Sequence, residues 1–342
     1  MINLFKEINN KKYFEKTAFY FEKEKITYLK LINDINKIEN KFEKKRIILA
    51  DVSNIYRFIC LFYACAKSNK IIVPVNFKDN LRKKDITYQL KNNKKILKKT
   101  FLIIFSSGTT GNYSKGILLS QKGISFICNM MNKNQIKKKE QINEMILASF
   151  DHAFAIGRMH ALLSSGNTIT LFRNYNLVKN LSEFNKYSCN SLSIVAGFIE
   201  KLITLNIFKK IIKNLKLLHL GSMKCPVFLR KKLIQKNKKM QLIINYGLTE
   251  AMRATFLNSK KNPNKITTEG KPFSGVKIKI KNKNNLDCKK NKMGNIHIKG
   301  KSLALGYLNS DHWNKKFNQG WFNTGDIGYL DNDGFFIYKT RE

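Results

Sequence analysis

Acidic residues are scarce in this chain of 342 residues: 23 Asp and Glu face 64 Lys and Arg, a formal net charge of +41. Such a balance ordinarily points to a polyanionic partner. Arginine, the planar fork suited to phosphates and bases, supplies only eight of those cations, and the lysines are dispersed among Asn and Ile along the whole chain. We read the excess as a bias toward A/T-rich codons and expect no nucleic-acid partner. Proline is rare too, at four residues. With 43% apolar and 11% aromatic residues, the chain can bury enough surface to offset its ordering entropy, which excludes disorder. Its length suggests two or three packed subdomains.

Cys60, Cys65, Cys128, Cys189, Cys225 and Cys288 stand at scattered spacings, with no C-x-x-C pair and no histidine pair at ligand distance. Neither a zinc site nor a disulfide framework is expected. The longest apolar run, residues 58–66, stops at Lys67, far short of a membrane span. Residues 1–12 are basic but have no apolar core and no small-residue cleavage site. These absences point to a soluble cytoplasmic protein with reduced thiols.

The positive signals are periodic. Thr27 can cap a helix whose apolar positions Tyr28, Leu31, Ile32, Ile35 and Ile38 recur at helical spacing. A β-rich run at 46–50, an all-round apolar helix capped by Ser53 and a strand at 71–75 then spell βαβ grammar. Further apolar strands are expected at 101–105, 145–148, 168–172, 192–196, 215–220 and 241–245, with helices around 120–131, 157–163, 198–205 and 226–235. After Phe256 the pattern changes. Residues 276–280 and 295–299 alternate strictly, as half-buried antiparallel strands do. No internal repeat is present.

The most specific segment follows the strand at 101–105: Ser106, Ser107, Gly108, Thr109, Thr110, Gly111, Asn112, Tyr113, Ser114, Lys115, Gly116. Small residues let backbone N–H groups approach an anion, hydroxyls add neutral donors, and Lys115 supplies a point charge, so the loop suits a polyphosphate. It is not a Walker loop, which needs Gly before the Lys and Ser or Thr after it.

This loop resembles the phosphate loop of the AMP-forming acyl-adenylate synthetases, the superfamily of acyl-CoA ligases, peptide-synthetase adenylation domains and luciferases. Other segments agree in order: Ile26 to Tyr28 with Leu31, Ile72 to Asn76, Asn245 to Glu250, Gly306 with Tyr307, and Gly320 to Asp326. The resemblance implies an α/β fold of two stacked α/β subdomains with mostly parallel sheets, plus a smaller antiparallel β-barrel-like subdomain. Residues 1–255 would form the adenylate-forming body, 256–340 the β subdomain, and 341–342 the start of the hinge, with the mobile C-terminal domain absent.

The resemblance also assigns roles. Ser106 to Gly111 and Lys115 would hold the phosphates of ATP; Asn245, Tyr246, Gly247, Gly221 and Ser222 would flank adenine and the acyl group. Thr249 would reach the α-phosphate, Glu250 would hold Mg2+, and Asp326 with Arg341 would hold the ribose. Asp151, His152 and Gly221 would border the acyl pocket. Taken singly, Tyr246 could be a core tyrosine, Thr249 a helix cap, Asp326 a turn cap and His152 an ordinary loop residue.

Three residues separate Gly111 from Lys115 where the family has two, the second a proline, so the loop is longer and less rigid. The leading reading is ATP-dependent activation of a small carboxylic acid, fatty or aromatic, to an acyl-adenylate with release of pyrophosphate. Thioester formation with CoA or a phosphopantetheine carrier normally follows, with a carrier protein or a separate C-terminal domain as partner. The alternatives are an amino-acid-activating domain, which the pair Phe150 and Asp151 resembles, and a catalytically silent nucleotide-binding remnant.

Overall fold

A computed structural model describes residues 2–93, 96–106, 114–135, 140–173, 176–204 and 206–341. In chain order, the strands are β1 Thr17–Phe21, β2 Glu24–Thr27, β3 Ile47–Asp51, β4 Ile71–Val75, β5 Leu102–Ser106, β6 Lys115–Leu119, β7 Asn143–Leu147, β8 Thr168–Leu171, β9 Ser191–Val195, β10 Leu217–Gly221 and β11 Gln241–Tyr246. Then come β12 Thr255–Asn258, β13 Lys271–Pro272, β14 Val276–Lys281, β15 Gly294–Gly300, β16 Gly306–Tyr307, β17 Phe317–Asn318, β18 Trp321–Leu330 and β19 Phe336–Arg341.

They build three sheets. The largest has the order β13-β12-β11-β10-β9-β7-β8-β1-β2, and its six central strands from β11 to β1 are parallel. The second, β16-β6-β5-β4-β3, is parallel through β3, β4 and β5 and antiparallel beyond. Strands covered on both faces need side chains that are apolar throughout, and β4 is buried at all five positions. The third sheet, β14-β15-β18-β17 with β19 on β18, is antiparallel. Because β12 and β13 still pair along the edge of the largest sheet, the architecture changes at Val276, later than the alternation after Phe256 suggests.

One apolar cluster joins side chains of both α/β sheets to those of the helices Ile55–Lys67, Gln121–Gln135 and Ala153–Ser164. The last of these is buried from Ala153 to Leu163. The helix Tyr28–Glu39 starts as its sequence demands, with the Thr27 hydroxyl accepting from Lys30 N at 3.2 Å. The helix Ile55–Lys67 is capped by Asn54, not by Ser53: the Asn54 side chain accepts from Arg57 N, while Ser53 is taken by Asp51. The helix Asn80–Asn92 carries no apolar stripe and buries only Ile86, so periodicity could not reveal it. All six cysteines are free, and five are buried. Among the described residues, no helix is long and apolar enough to cross a membrane.

Candidate active site

In the largest sheet the chain passes from β7 to β8 on one side and then to β9 on the other, so the order reverses at β7. Open α/β sheets bind ligands beyond the carboxyl ends of their strands at such a reversal, because the flanking loops diverge there and leave a crevice. A cavity of about 790 Å3 lies at this point. Its walls include Ala148 and Ser149 after β7, Val195 ending β9, Gly221 and Ser222 ending β10, and Asn245 on β11. Ser106 and Lys115, opposite each other in the β5–β6 pair, reach it from the second sheet. Thr324, Gly325 and Arg341 reach it from the third. All three sheets thus contribute to one site.

Of the residues expected there, Ser106, Lys115, His152, Gly221, Ser222, Asn245, Gly247, Thr249, Glu250 and Arg341 line the cavity. Ser107, Gly108, Thr109, Thr110 and Gly111 lie outside the described residues. Two glycines are fixed by close approach. A Cβ on Gly221 would stand 2.5 Å from the Phe154 ring, and one on Gly247 would stand 2.5 Å from Arg253 N.

The charges favour an anion. Among the described residues, Lys115, Arg253, Lys316 and Arg341 line the cavity against the single carboxylate of Glu250. Glu250 is steadied by the Tyr307 hydroxyl, which donates to Oε1 at 2.6 Å. Burial, and then Glu250 itself, pushes the Tyr307 phenol up, so it stays a donor.

Asp326 is not in a turn but inside β18, where Arg341 of β19 is its register partner. Arg341 Nε donates to Oδ1 at 2.7 Å, and the Tyr246 hydroxyl donates to Oδ2 at 2.8 Å. The carboxylate bond holds the Arg341 guanidinium above its ordinary range, whereas burial and then Asp326 raise the Tyr246 phenol. Neither Asp326 nor Tyr246 lines the cavity itself. The Tyr246 ring packs on Phe336 and Tyr338, with centroids at 4.6 and 5.9 Å.

Asp151 also departs from expectation. It is buried and absent from the cavity wall, because Arg82 on the helix Asn80–Asn92 takes Oδ2 at 3.0 Å. His152 does line the cavity and is exposed. Beneath the wall, the His219 Nε2 meets Asn245 Nδ2 at 2.5 Å, and its Nδ1 meets Ser193 Oγ at 3.3 Å. Burial, then Arg158 and Arg253, holds His219 well below the ordinary histidine range, so it is neutral and orients Asn245 by accepting from its amide.

A family model described as "AMP-binding enzyme" matches residues 92–308. The chain belongs to the AMP-binding enzyme family. Its relatives include the 2-succinylbenzoate–CoA ligases of Bacillus licheniformis, 28% identical over 70% of this chain and 49% of that protein, and of Bacillus pumilus, 23% identical over 96% and 75%. Acyl-CoA synthetase 7 of Caenorhabditis elegans is 27% identical over 70% of this chain and 46% of its own. The chain thus spans about half the length of two of these three relatives. The o-succinylbenzoate CoA synthetase of Bacillus subtilis, solved with a product analogue, superposes over 100% of this chain and 79% of its own with a TM-score of 0.86 at 19% identity. This likeness extends the shared fold to both α/β sheets and the antiparallel subdomain.

Sequence reasoning missed Phe154, Arg253 and Lys316 on the cavity wall, and it saw Tyr307 only as part of a turn. One compositional signal was available. With so few arginines in the chain, three of them, Arg158, Arg230 and Arg253, are buried, where lysine is poorly suited.

Proposed function

We propose that this chain binds ATP in the cavity and activates a carboxylic acid, of the aromatic class, as its acyl-adenylate with release of pyrophosphate. The carrying observation is the meeting of Ser106, Lys115, Thr249 and Glu250 with Gly221 and Ser222 in one crevice at the sheet reversal. The acid's carboxylate oxygen attacks the α-phosphorus, a new P–O bond forms, and the bond to the bridging oxygen breaks as pyrophosphate leaves. Lys115 offsets charge on the phosphates, and the Thr249 hydroxyl donates to the α-phosphate.

Glu250 presents one carboxylate to the cavity with Oε1 braced by Tyr307, a donor set that fits Mg2+, which takes one or two carboxylates and completes its shell with phosphates and water. Bound there, Mg2+ would neutralise phosphate charge. The Asp326 oxygens each accept one bond in the free protein and keep a second lone pair for a ribose hydroxyl. CoA is the proposed acceptor of the acyl group, supported by the CoA-ligase names of the relatives. Residues 1–275 are the proposed α/β body, with the antiparallel subdomain following.

Acid-dependent exchange of labelled pyrophosphate into ATP tests the reading. Exchange that requires both Mg2+ and an aromatic acid, and that is lost in Lys115→Ala, is expected. Calorimetry that finds no binding of ATP or of an acyl-sulfamoyl adenosine to folded protein overturns it.

A further inference from the structure

The buried pair formed by Arg230 and Glu269 lies off the cavity wall and takes no part in the chemistry above. Arg230, on the helix Val227–Lys236, is 1% exposed, and Glu269 is 6% exposed. Arg230 Nη2 donates to Glu269 Oε1 at 2.7 Å, Nε donates to the Cys225 carbonyl at 2.8 Å, and Nη1 donates to the carbonyls of Ile266 and Thr268 at 3.1 and 2.7 Å. The other carboxylate oxygen is committed to a different element: Oε2 accepts the backbone N–H of Tyr338, on β19, at 2.7 Å. Desolvating two charges offsets most of what their attraction returns, so such a pair adds little stability over an apolar one; what it can add is a fixed register.

β19 has a register to fix. Leu330, Tyr329 and Gly328 of β18 stand opposite Phe336, Ile337 and Tyr338, but Ile327 and Asp326 stand opposite Thr340 and Arg341. Lys339 is therefore the extra residue of a β-bulge. Paired residues point to one face and successive residues alternate, so the bulge puts Arg341 on the same face as Phe336 and Tyr338, whose rings pack on Tyr246. A regular ladder carried on from Tyr338 would set Thr340 opposite Asp326 and turn Arg341 to the other face. The bulged register is the one in which Arg341 bonds to Asp326 and lines the cavity.

The edge of β19 away from β18 shows what holds that register. Phe336 exchanges two backbone bonds with residues 269 and 270: Glu269 N donates to its carbonyl at 2.8 Å, and its N–H donates to the Gly270 carbonyl at 2.7 Å. The N–H of Tyr338 is the next to face this edge and the last before the bulge, and there the Glu269 side chain takes over as acceptor. Residues 269 and 270 are themselves pinned. The Glu269 carbonyl accepts from Thr255 Oγ1 at 2.6 Å, and a Cβ on Gly270, at φ 85°, would stand 1.8 Å from the Phe256 carbonyl oxygen. Thr255 and Phe256 belong to β12, so Glu269 ties β19 to the largest sheet.

We propose that Glu269 is a positioning residue for the nucleotide: held by Arg230, it fixes the bulge at Lys339 and thereby keeps Arg341 at the cavity beside Asp326. This rests on the adenylate-forming reading above, with Asp326 and Arg341 at the ribose.

The test reads AMP and pyrophosphate binding by calorimetry on the full chain. Removing Glu269 alone strands the Arg230 charge, so both charges are replaced together. Arg230→Met with Glu269→Gln keeps an oxygen for the Tyr338 N–H; Arg230→Met with Glu269→Leu keeps none. The Gln form should bind AMP within about twofold of the unaltered chain, and the Leu form roughly five- to tenfold more weakly, as loss of an ordered Arg341 contact requires. Pyrophosphate, which has no ribose, should bind all three alike. In an Arg341→Ala background the Gln and Leu forms should bind AMP equally, which a general structural defect does not produce. Equal AMP binding by the folded Gln and Leu forms overturns the inference while the adenylate reading stands, and so does a difference that persists in Arg341→Ala. No AMP binding by the unaltered chain overturns both. Amide exchange on the unaltered chain needs no variant to fold: a bond that favours AMP is favoured by AMP in return, so AMP should slow exchange at Tyr338 more than pyrophosphate does, and equal effects of the two ligands also overturn the inference.

Discussion

Asp326 couples the candidate ribose site to the stability of the chain, and Asp326→Ala separates the two roles. The carboxylate is 2% exposed and holds Tyr246 and Arg341 at once. Tyr246 is itself buried, so removing its acceptor leaves a hydroxyl without a partner, at about 1–3 kcal/mol. The Arg341 side chain is 45% exposed, so solvent screens that pair and its loss adds only ~0.2–1 kcal/mol. The total, roughly 1–4 kcal/mol, acts against an unfolding entropy of about 0.7 kcal/mol/K for a chain of this length, and lowers Tm by about 2–6 °C. The Tyr246→Phe background removes the orphaned hydroxyl. Asp326→Ala should cost less there, with a coupling of about 1–3 kcal/mol across the cycle. Affinity is read separately by calorimetry. AMP and ATP should weaken roughly ten- to a hundred-fold as the ribose hydroxyls lose a charged acceptor, while pyrophosphate, which has no ribose, should be unchanged. Equal Tm losses in the two backgrounds would refute the stability argument, and AMP affinity within about twofold of the unaltered chain would refute the ribose role.

Lys115→Ala should show the opposite pattern, weakening ATP and pyrophosphate by roughly ten-fold or more and AMP least, in the same titrations. Gly221→Ala puts a methyl 2.5 Å from the Phe154 ring, so acid activation in pyrophosphate exchange should fall while AMP binding is retained; a normal dependence on the acid would remove Gly221 from the acyl wall. His219 is held below its unfolded pKa by burial and adjacent guanidinium groups. The unfolded chain therefore binds the extra proton: its stabilising contribution is complete above about pH 6.5 and declines as pH falls below it. Thermal melts from pH 7.5 to 5.5 should lose less stability in His219→Gln than in the unaltered chain, and parallel losses would show that His219 does not set the slope.

The sequence by itself determined what local pattern can encode. Apolar runs located β4 to its residues and most parallel strands to within a few, because a strand covered on both faces must be apolar along its length. Alternation marked β14 and β15, and the Thr27 cap fixed a helix start. The segment after β5 and the Asn245–Glu250 and Gly320–Asp326 segments stood out because their distinctive residues are neighbours in the chain. Elements without a periodic signature were not legible: the β1–β2 hairpin, the polar helix Asn80–Asn92, and β12, whose pairing extends the large sheet. Only the tertiary structure decided who partners whom. Asp326 meets a tyrosine 80 residues away, Arg82 draws Asp151 off the cavity wall across 69 residues, and Glu144 is filled by residues from 14 to 49 positions on. Such pairings depend on strand order and register, which bring distant side chains within hydrogen-bond reach and leave Arg253 on the cavity wall with no acidic partner among the described residues. A pattern of local burial carries no record of those distances.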